Sequence, residues 1–128
     1  MESFSNEESS NQQEITDLDL LSSIQNNNIL MVKVYADWCG HCKNIKPEWD
    51  TFYNEYNGKK VGINTVSVAS LEESNSLTPK VFDILKYEVR GYPSILKIYK
   101  GNGGLQVEEC KGSRTVDNWL THAKQPKA

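Results

Sequence analysis

The sequence predicts an α/β domain: a central mixed β-sheet of about four to five strands, flanked by about four helices. Three observations lead there. Residues 29–36 (ILMVKVYA) and 61–69 (VGINTVSVA) are strand-length apolar runs in which Lys33 is the sole charge, as expected of strands covered on both faces. Stretches with apolar residues at helical spacing stand between and after them. Near the end, the glycine-rich segment 100–104 (KGNGG) separates two further strand-like runs and signals a hairpin. Alternating strands and helices imply parallel pairing, and the hairpin adds antiparallel strands.

In chain order, residues 1–14 (MESFSNEESSNQQE) hold almost nothing to bury and are expected to form a disordered acidic, polar tail. The domain is assigned to residues 15–124, and 125–128 form a short C-terminal tail. Thr16 or Asp17 can cap a first helix carrying Leu18, Leu21 and Ile24, which Asn26, Asn27 and Asn28 stop. After the strand at 29–36, a helix is expected over residues 40–56 with Ile45, Trp49, Phe52 and Tyr56 on one face. Pro47 should remove its bond to the Lys43 carbonyl and kink it.

Residues 58–60 form the turn out of that helix, 61–69 a single strand, and 70–78 a polar loop. Pro79 suits the first turn of a short helix with Val81, Phe82, Leu85 and Tyr87 as its apolar members. Gly91, Tyr92 and Pro93 make a turn before a strand at 94–99, and 105–110 returns along it. Thr115 can cap a last helix whose Val116, Trp119, Leu120 and Ala123 recur at i, i+3, i+4 and i+7.

The chain has 128 residues and formal net charge −3, unevenly spread. All six charges before Lys33 are acidic, whereas the remainder holds 14 basic residues against 11 acids. That excess of three is too small and too scattered to argue for nucleic acid. No stretch approaches the roughly 18 apolar residues of a membrane span. The first fourteen residues lack a basic n-region, their large apolar groups being only Met1 and Phe4, and the C-terminal QPKA is not a retention signal. A reducing, cytoplasmic location is therefore expected.

Three cysteines exclude an even disulfide framework; a pair plus one spare fits better. Cys39 and Cys42 stand where a strand hands over to a helix, which reads as a thiol–disulfide redox site. At the helix N-terminus Cys39 meets unpaired N–H groups and the positive dipole end, which favour a thiolate. Cys42 lies three residues on along the same face, close enough for a disulfide. Structural zinc takes four ligands, usually from two such pairs, and only Cys110, His41 and His122 remain to complete one. Covalent haem attachment needs a histidine directly after the second cysteine, where Lys43 stands. No metal or other cofactor is expected.

Residues 35–43 (YADWCGHCK), Pro47 eight residues after the first cysteine, residues 91–95 (GYPSI) and residues 111–115 (KGSRT) together resemble the thioredoxin-like superfamily. Within it they are most similar to the catalytic domains of protein disulfide isomerases, whose motif is CGHC. The resemblance covers about residues 15–124, with the segments in the family's order. It implies a thioredoxin-like fold and a thiol–disulfide oxidoreductase acting on protein thiols and disulfides. It also implies a redox-regenerating partner; the chain is expected to be a monomer. A thioredoxin-type general reductase is the alternative enzyme, and a non-catalytic binding or chaperone module the alternative of another class. The abundance of Asn and Lys fits AT-rich coding of the kind found in large DNA viruses, so a virion is a second expected location.

By this resemblance Cys39 is the nucleophile and Cys42 the resolving cysteine. His41 tunes the Cys39 thiolate by carrying positive charge, which stabilises the reduced form and makes the disulfide more oxidising. Pro93 is expected to be cis and to face the cysteines, presenting the Tyr92 backbone to an extended substrate. Trp38 and Gly40 complete the substrate-facing set. Arg114 swings toward the site and modulates the Cys42 pKa.

Two departures stand out. The family's buried Glu or Asp, six residues before the first cysteine, is replaced by Lys33, and the loop at 70–78 is longer than in isomerase domains. Lys33 is read three ways: a desolvated neutral base for Cys42, a cation that stabilises thiolates, or a snorkelling residue with no catalytic role. Cys110 is read as a small buried hydrophobe where isomerase domains often carry an aromatic.

Overall fold

A five-stranded sheet in the order β2-β3-β1-β4-β5 forms the frame of the computed structural model, which describes residues 13–125. In chain order its elements are α1 (Asp19–Ser22), β1 (Asn28–Tyr35), α2 (Gly40–Tyr56), β2 (Lys59–Val61), β3 (Asn64–Glu72), α3 (Thr78–Leu85), β4 (Ser94–Gly101), β5 (Gly104–Glu109) and α4 (Val116–Lys124). β1 pairs in parallel with β3 and antiparallel with β4, so the sheet is mixed, as expected. Being central, β1 is buried on both faces from Ile29 through Val34, which explains its uninterrupted apolar run.

Alternation along β1 divides two cores. Ile29 and Met31 face α2 and α4, joining Trp49, Phe52 and Trp119. Leu30, Val32 and Val34 face the opposite layer, with Leu21 of α1 and Val81 and Leu85 of α3. Full burial of each such side chain stabilises by about 1.5–3 kcal/mol. On the first face the Trp49 and Trp119 rings meet edge to face at 4.8 Å, and the Trp49 indole N–H donates to Ser70 Oγ at 3.2 Å.

α2 spans the residues predicted and runs continuously through Pro47. The Thr115 hydroxyl caps α4 by accepting from the Asn118 N–H at 3.2 Å, as its sequence position suggested. β4 and β5 form the expected hairpin around Asn102 and Gly103.

Four expectations need correction. The predicted single strand at 61–69 is a hairpin of β2 and β3. Gly62 takes φ +64° at its turn and Ile63 is 74 % exposed, because a two-residue connection needs a positive φ that glycine adopts freely. β3 then continues to Glu72, so most of the expected polar loop at 70–78 is a shorter connection after it. The first helix is only one turn, Asp19–Ser22; Leu18 takes the N-cap position, and the expected Asp17 carboxylate accepts from the Asp19 N–H at 2.7 Å. There the Ser22 and Ser23 hydroxyls bond back to the Asp19 and Leu20 carbonyls, competing with helix propagation. Tyr87 falls outside α3, which ends at Lys86 in a left-handed conformation (φ 54°).

Residues 1–12 and 126–128, most of the expected tails, lie outside the described residues. Gln13 and Glu14, assigned to the N-terminal tail, belong to the fold: Gln13 is buried and Glu14 bridges in parallel to Ser70. β2 covers only the first residues of β3, leaving an open edge at Ser70 where the Ile15 N–H donates to the Ser70 carbonyl at 2.9 Å. At the other end, the Gln125 carbonyl accepts from buried Lys97 at 3.3 Å.

Candidate active site

The end of β1 delivers the chain to the N-terminus of α2, and Cys39 is its N-cap. Extended backbone at Cys39 (φ −90°, ψ 118°) turns its sulfur back over the first helical turn, where Sγ accepts from the Cys42 N–H at 3.1 Å. A sulfur thus takes the capping place usually held by a Ser or Asp oxygen, and a thiolate there gains from the same N–H groups. On its other side, the Cys39 thiol donates to the Tyr92 carbonyl at 3.6 Å. The Tyr92–Pro93 peptide is cis, as the resemblance implied, and Pro93 is buried at the start of β4.

Cys39 and Cys42 are both buried free thiols in a small cluster with Ala36, Tyr35 and Tyr92. Burial and the hydrogen bond with Cys39 push the Cys42 thiol up to about 11, with Lys33 among the opposing influences. As it stands, Cys42 holds its proton at neutral pH and must be relieved of it before it can attack.

The β3–α3 connection holds the loop before Cys39. Glu72 Oε2 accepts from the Asp37 N–H at 2.9 Å, the Glu73 N–H donates to the Tyr35 carbonyl at 2.7 Å, and Glu73 Oε2 accepts from the Trp38 indole at 3.3 Å. Trp38 is 70 % exposed and meets the Tyr92 ring edge to face at 5.9 Å, which makes the pair an apolar ledge beside Cys39. His41 and Gly40 are exposed at the helix start, and a Cβ at Gly40 would meet no atom within 4 Å.

Lys33 is 5 % exposed. By alternation its side chain leaves β1 on the α2 face, and its Nζ stands over the Tyr35 ring, 4.5 Å from the centroid. Burial holds the amine below its ordinary value, with Asp50 and Glu14 acting against that shift and Lys46 with it. Lys33 and Cys42 line one cavity of about 180 Å³ together with Gln13, Glu14, Tyr35 and Ser70.

Arg114 is not in that cavity. It is exposed and lines a separate cleft of about 490 Å³ with Arg90, Tyr92 and Pro93. Cys110 is buried in the core beside β4 and removed from the pair, and burial pushes its thiol up to about 12. Among the described residues no cluster of three or more His, Cys, Asp or Glu could hold a metal ion.

Of the residues singled out in the sequence, the structure gathers Cys39, Cys42, Trp38, Tyr92 and Pro93 around the start of α2, with Lys33 behind Cys42, and leaves Arg114 apart. Sequence reasoning missed Gln13, Glu14, Glu72 and Glu73. The first two sit in a polar run with no apolar periodicity. The two glutamates were read as loop because nothing in their own segment shows that they reach back to residues 37 and 38.

Comparison with known proteins agrees with this geometry. The thioredoxin family profile matches residues 11–125. A protein disulfide-isomerase of Datisca glomerata is 33 % identical over 122 residues, covering 93 % of this chain and 23 % of that protein. A putative protein disulfide-isomerase of Schizosaccharomyces pombe is 37 % identical over 97 residues, covering 76 % of this chain and 17 % of its own length. This chain therefore spans about a quarter or less of those relatives.

Among solved structures, the first thioredoxin domain of mouse protein disulfide-isomerase A4 superposes with TM-score 0.60 at 25 % identity, covering 86 % of this chain and 71 % of that one. The J-Trx1 fragment of ERdj5 gives TM-score 0.64 at 17 % identity, over 86 % and 48 % of the two chains. With a five-stranded mixed sheet, a cysteine pair capping α2 and a cis-proline opposite it, the chain belongs to the thioredoxin family.

Proposed function

We propose that the domain is a thiol–disulfide oxidoreductase of the protein disulfide isomerase type, exchanging disulfides with protein substrates through Cys39 and Cys42. The observation that carries this reading is the position of Cys39 Sγ, held between the Cys42 N–H and the Tyr92 carbonyl. The relatives' names support the same chemistry.

The Cys39 thiolate attacks one sulfur of a substrate disulfide; a mixed disulfide forms and the other substrate sulfur leaves as thiolate. Cys42, once deprotonated, attacks Cys39 Sγ, expels the second substrate thiolate and closes the Cys39–Cys42 disulfide. Run backward, the same steps oxidise a substrate dithiol. The Trp38–Tyr92 ledge and the cis-Pro93 turn support an extended substrate strand beside Cys39. His41 is exposed between the cysteines, placed to tune the Cys39 thiolate without crowding the approach. Arg114 serves substrate contact from its cleft, or reaches Cys42 only by a change of rotamer. A separate redox partner regenerates the pair.

The redox equilibrium of the Cys39–Cys42 pair against glutathione tests the reading. A potential near the isomerase value of about −180 mV supports it, and one near about −270 mV makes the domain a thioredoxin-type reductase instead. Unimpaired function in a Cys39→Ala variant would identify a non-catalytic binding module.

A further inference from the structure

The cavity behind Cys42 contains an acid that comes from outside the β1–α2 unit. Glu14, Ser70 and Lys33 form one transverse row: Glu14 bridges to Ser70, and Ser70 is the register partner of Lys33. Two inter-strand spacings, about 10 Å, separate the outer members, a span that the long lysine and glutamate side chains share. Both line the cavity that also exposes Cys42. Tyr35, next but one along β1 from Lys33, stands between them: its hydroxyl donates to Glu14 Oε2 and its ring lies under the Lys33 ammonium.

Asp50 of α2 also acts on Lys33 but has two partners of its own. It accepts from Gln13 Nε2 at 2.8 Å and from Lys46 Nζ at 2.8 Å. Among the described residues no carboxylate forms an ion pair with Lys33.

We infer that Glu14 is the positioning residue of a proton-transfer pair with Lys33, which takes the Cys42 proton when the mixed disulfide is resolved. This rests on Cys39 and Cys42 being the redox pair. In the step, the neutral Lys33 amine accepts the proton from the Cys42 thiol, and the thiolate attacks Cys39 Sγ. The Cys39–substrate bond breaks as the Cys39–Cys42 bond forms, and the substrate leaves as thiolate. The Lys33 ammonium then loses its proton to solvent through the cavity.

Glu14 stabilises the ammonium in that sequence. Burial pushes the Glu14 carboxyl up, opposed by the Tyr35 hydroxyl and the Glu72 backbone, while burial pushes Lys33 down. Both shifts come from the shared burial, and the charge of each partner favours the charged form of the other. The groups that act on Lys33 are Glu14 from the N-terminal segment, Tyr35 from β1, and Cys42, Lys46 and Asp50 from α2; Asp37 and Lys43 line the same cavity, and Glu72 of β3 acts on Glu14.

The test uses the full reduced chain and Ellman's reagent, whose thionitrobenzoate forms the mixed disulfide at Cys39 and leaves a second time when Cys42 resolves it. Second-step rates are measured against pH for wild type, Glu14→Gln, Lys33→Met and the double variant, with near-UV circular dichroism confirming each fold. Lys33→Gln replaces Lys33→Met if the latter does not fold.

Lys33→Met is expected to slow the second step roughly tenfold on the acid limb. Glu14→Gln leaves the acid limb superposed on wild type, but the profile levels off at lower pH and on a plateau roughly three- to tenfold lower. In the Lys33→Met background Glu14→Gln changes nothing. A Glu14→Gln profile identical to wild type, or an effect that persists without Lys33, overturns the inference. If wild type itself releases no second equivalent, the redox-pair reading falls instead.

Discussion

The thiol of Cys39 donates to the carbonyl of Tyr92 at 3.6 Å, linking residues 53 positions apart in the chain. The acceptor is a backbone group of the turn that, in the proposed function, receives a substrate strand, so the reduced Cys39 would occupy part of that site. Attack on a substrate sulfur breaks this bond and frees the carbonyl at the moment the substrate becomes attached.

The two cysteines therefore have separable phenotypes. Cys39→Ser should abolish disulfide exchange, because a hydroxyl at a helix N-terminus is not ionised at neutral pH. Cys42→Ser should still react once and then remain trapped as a mixed disulfide. Mass spectrometry after mixing with a disulfide-bonded peptide distinguishes them: no adduct for the first, a stable adduct for the second.

Lys33 should cost stability at neutral pH. A group whose folded pKa lies below its unfolded value favours the folded state fully only above the unfolded value, here the ordinary lysine value of 10.5, and loses that contribution as pH falls. Lys33→Met is thus expected to raise the melting temperature by roughly 2–5 °C at pH 7. The gain should shrink toward zero as pH approaches 10.5; thermal unfolding at several pH values measures it.

Glu72 anchors the loop before Cys39 through the Asp37 and Ser74 N–H groups. Burial by itself would raise its carboxyl, yet the Ser74 and Asp37 hydrogen bonds together hold it below 4.5. A depressed acid stabilises above its unfolded pKa and loses that contribution as pH falls through the folded one. Glu72→Ala should destabilise by about 1 kcal/mol at pH 7 and accelerate amide exchange at Asp37. The difference from wild type should shrink as pH falls below the ordinary glutamate value and through the lowered folded one.

Lys97 is fully buried and donates to the His122 and Gln125 carbonyls, at 3.0 and 3.3 Å, where α4 ends. Its ammonium also lies 3.9 Å from Glu108. Lys97→Met would leave those carbonyls without their donor at the negative end of the helix dipole. The expected loss is about 2–3 kcal/mol, or roughly 10 °C in melting temperature.

Most of the scaffold was legible because local chemistry and tertiary role coincide there. The doubly apolar β1 can only be central, Trp49 and Phe52 repeat at helical spacing, and Thr115 is a cap wherever its helix packs. The hairpin at Gly62 was not legible, since one glycine and an exposed Ile63 interrupt an apolar run only once pairing partners are chosen. The one-turn α1 was overestimated because the hydroxyls of Ser22 and Ser23 turn to the backbone.

By itself the sequence determined the family, the α/β order, the cysteine pair at the start of α2 and the substitution of Lys33 for an acid. These depend on residue type and spacing along one stretch of chain. Only the tertiary structure decided the surroundings of Lys33. Pairing of Glu14 with the open edge of β3 carries a residue that reads as tail into one row with Ser70 and Lys33. It places Glu14 beside Cys42 in the same cavity. Cross-strand register leaves no trace in local composition, because it is set by which edges remain unpaired after the sheet has formed.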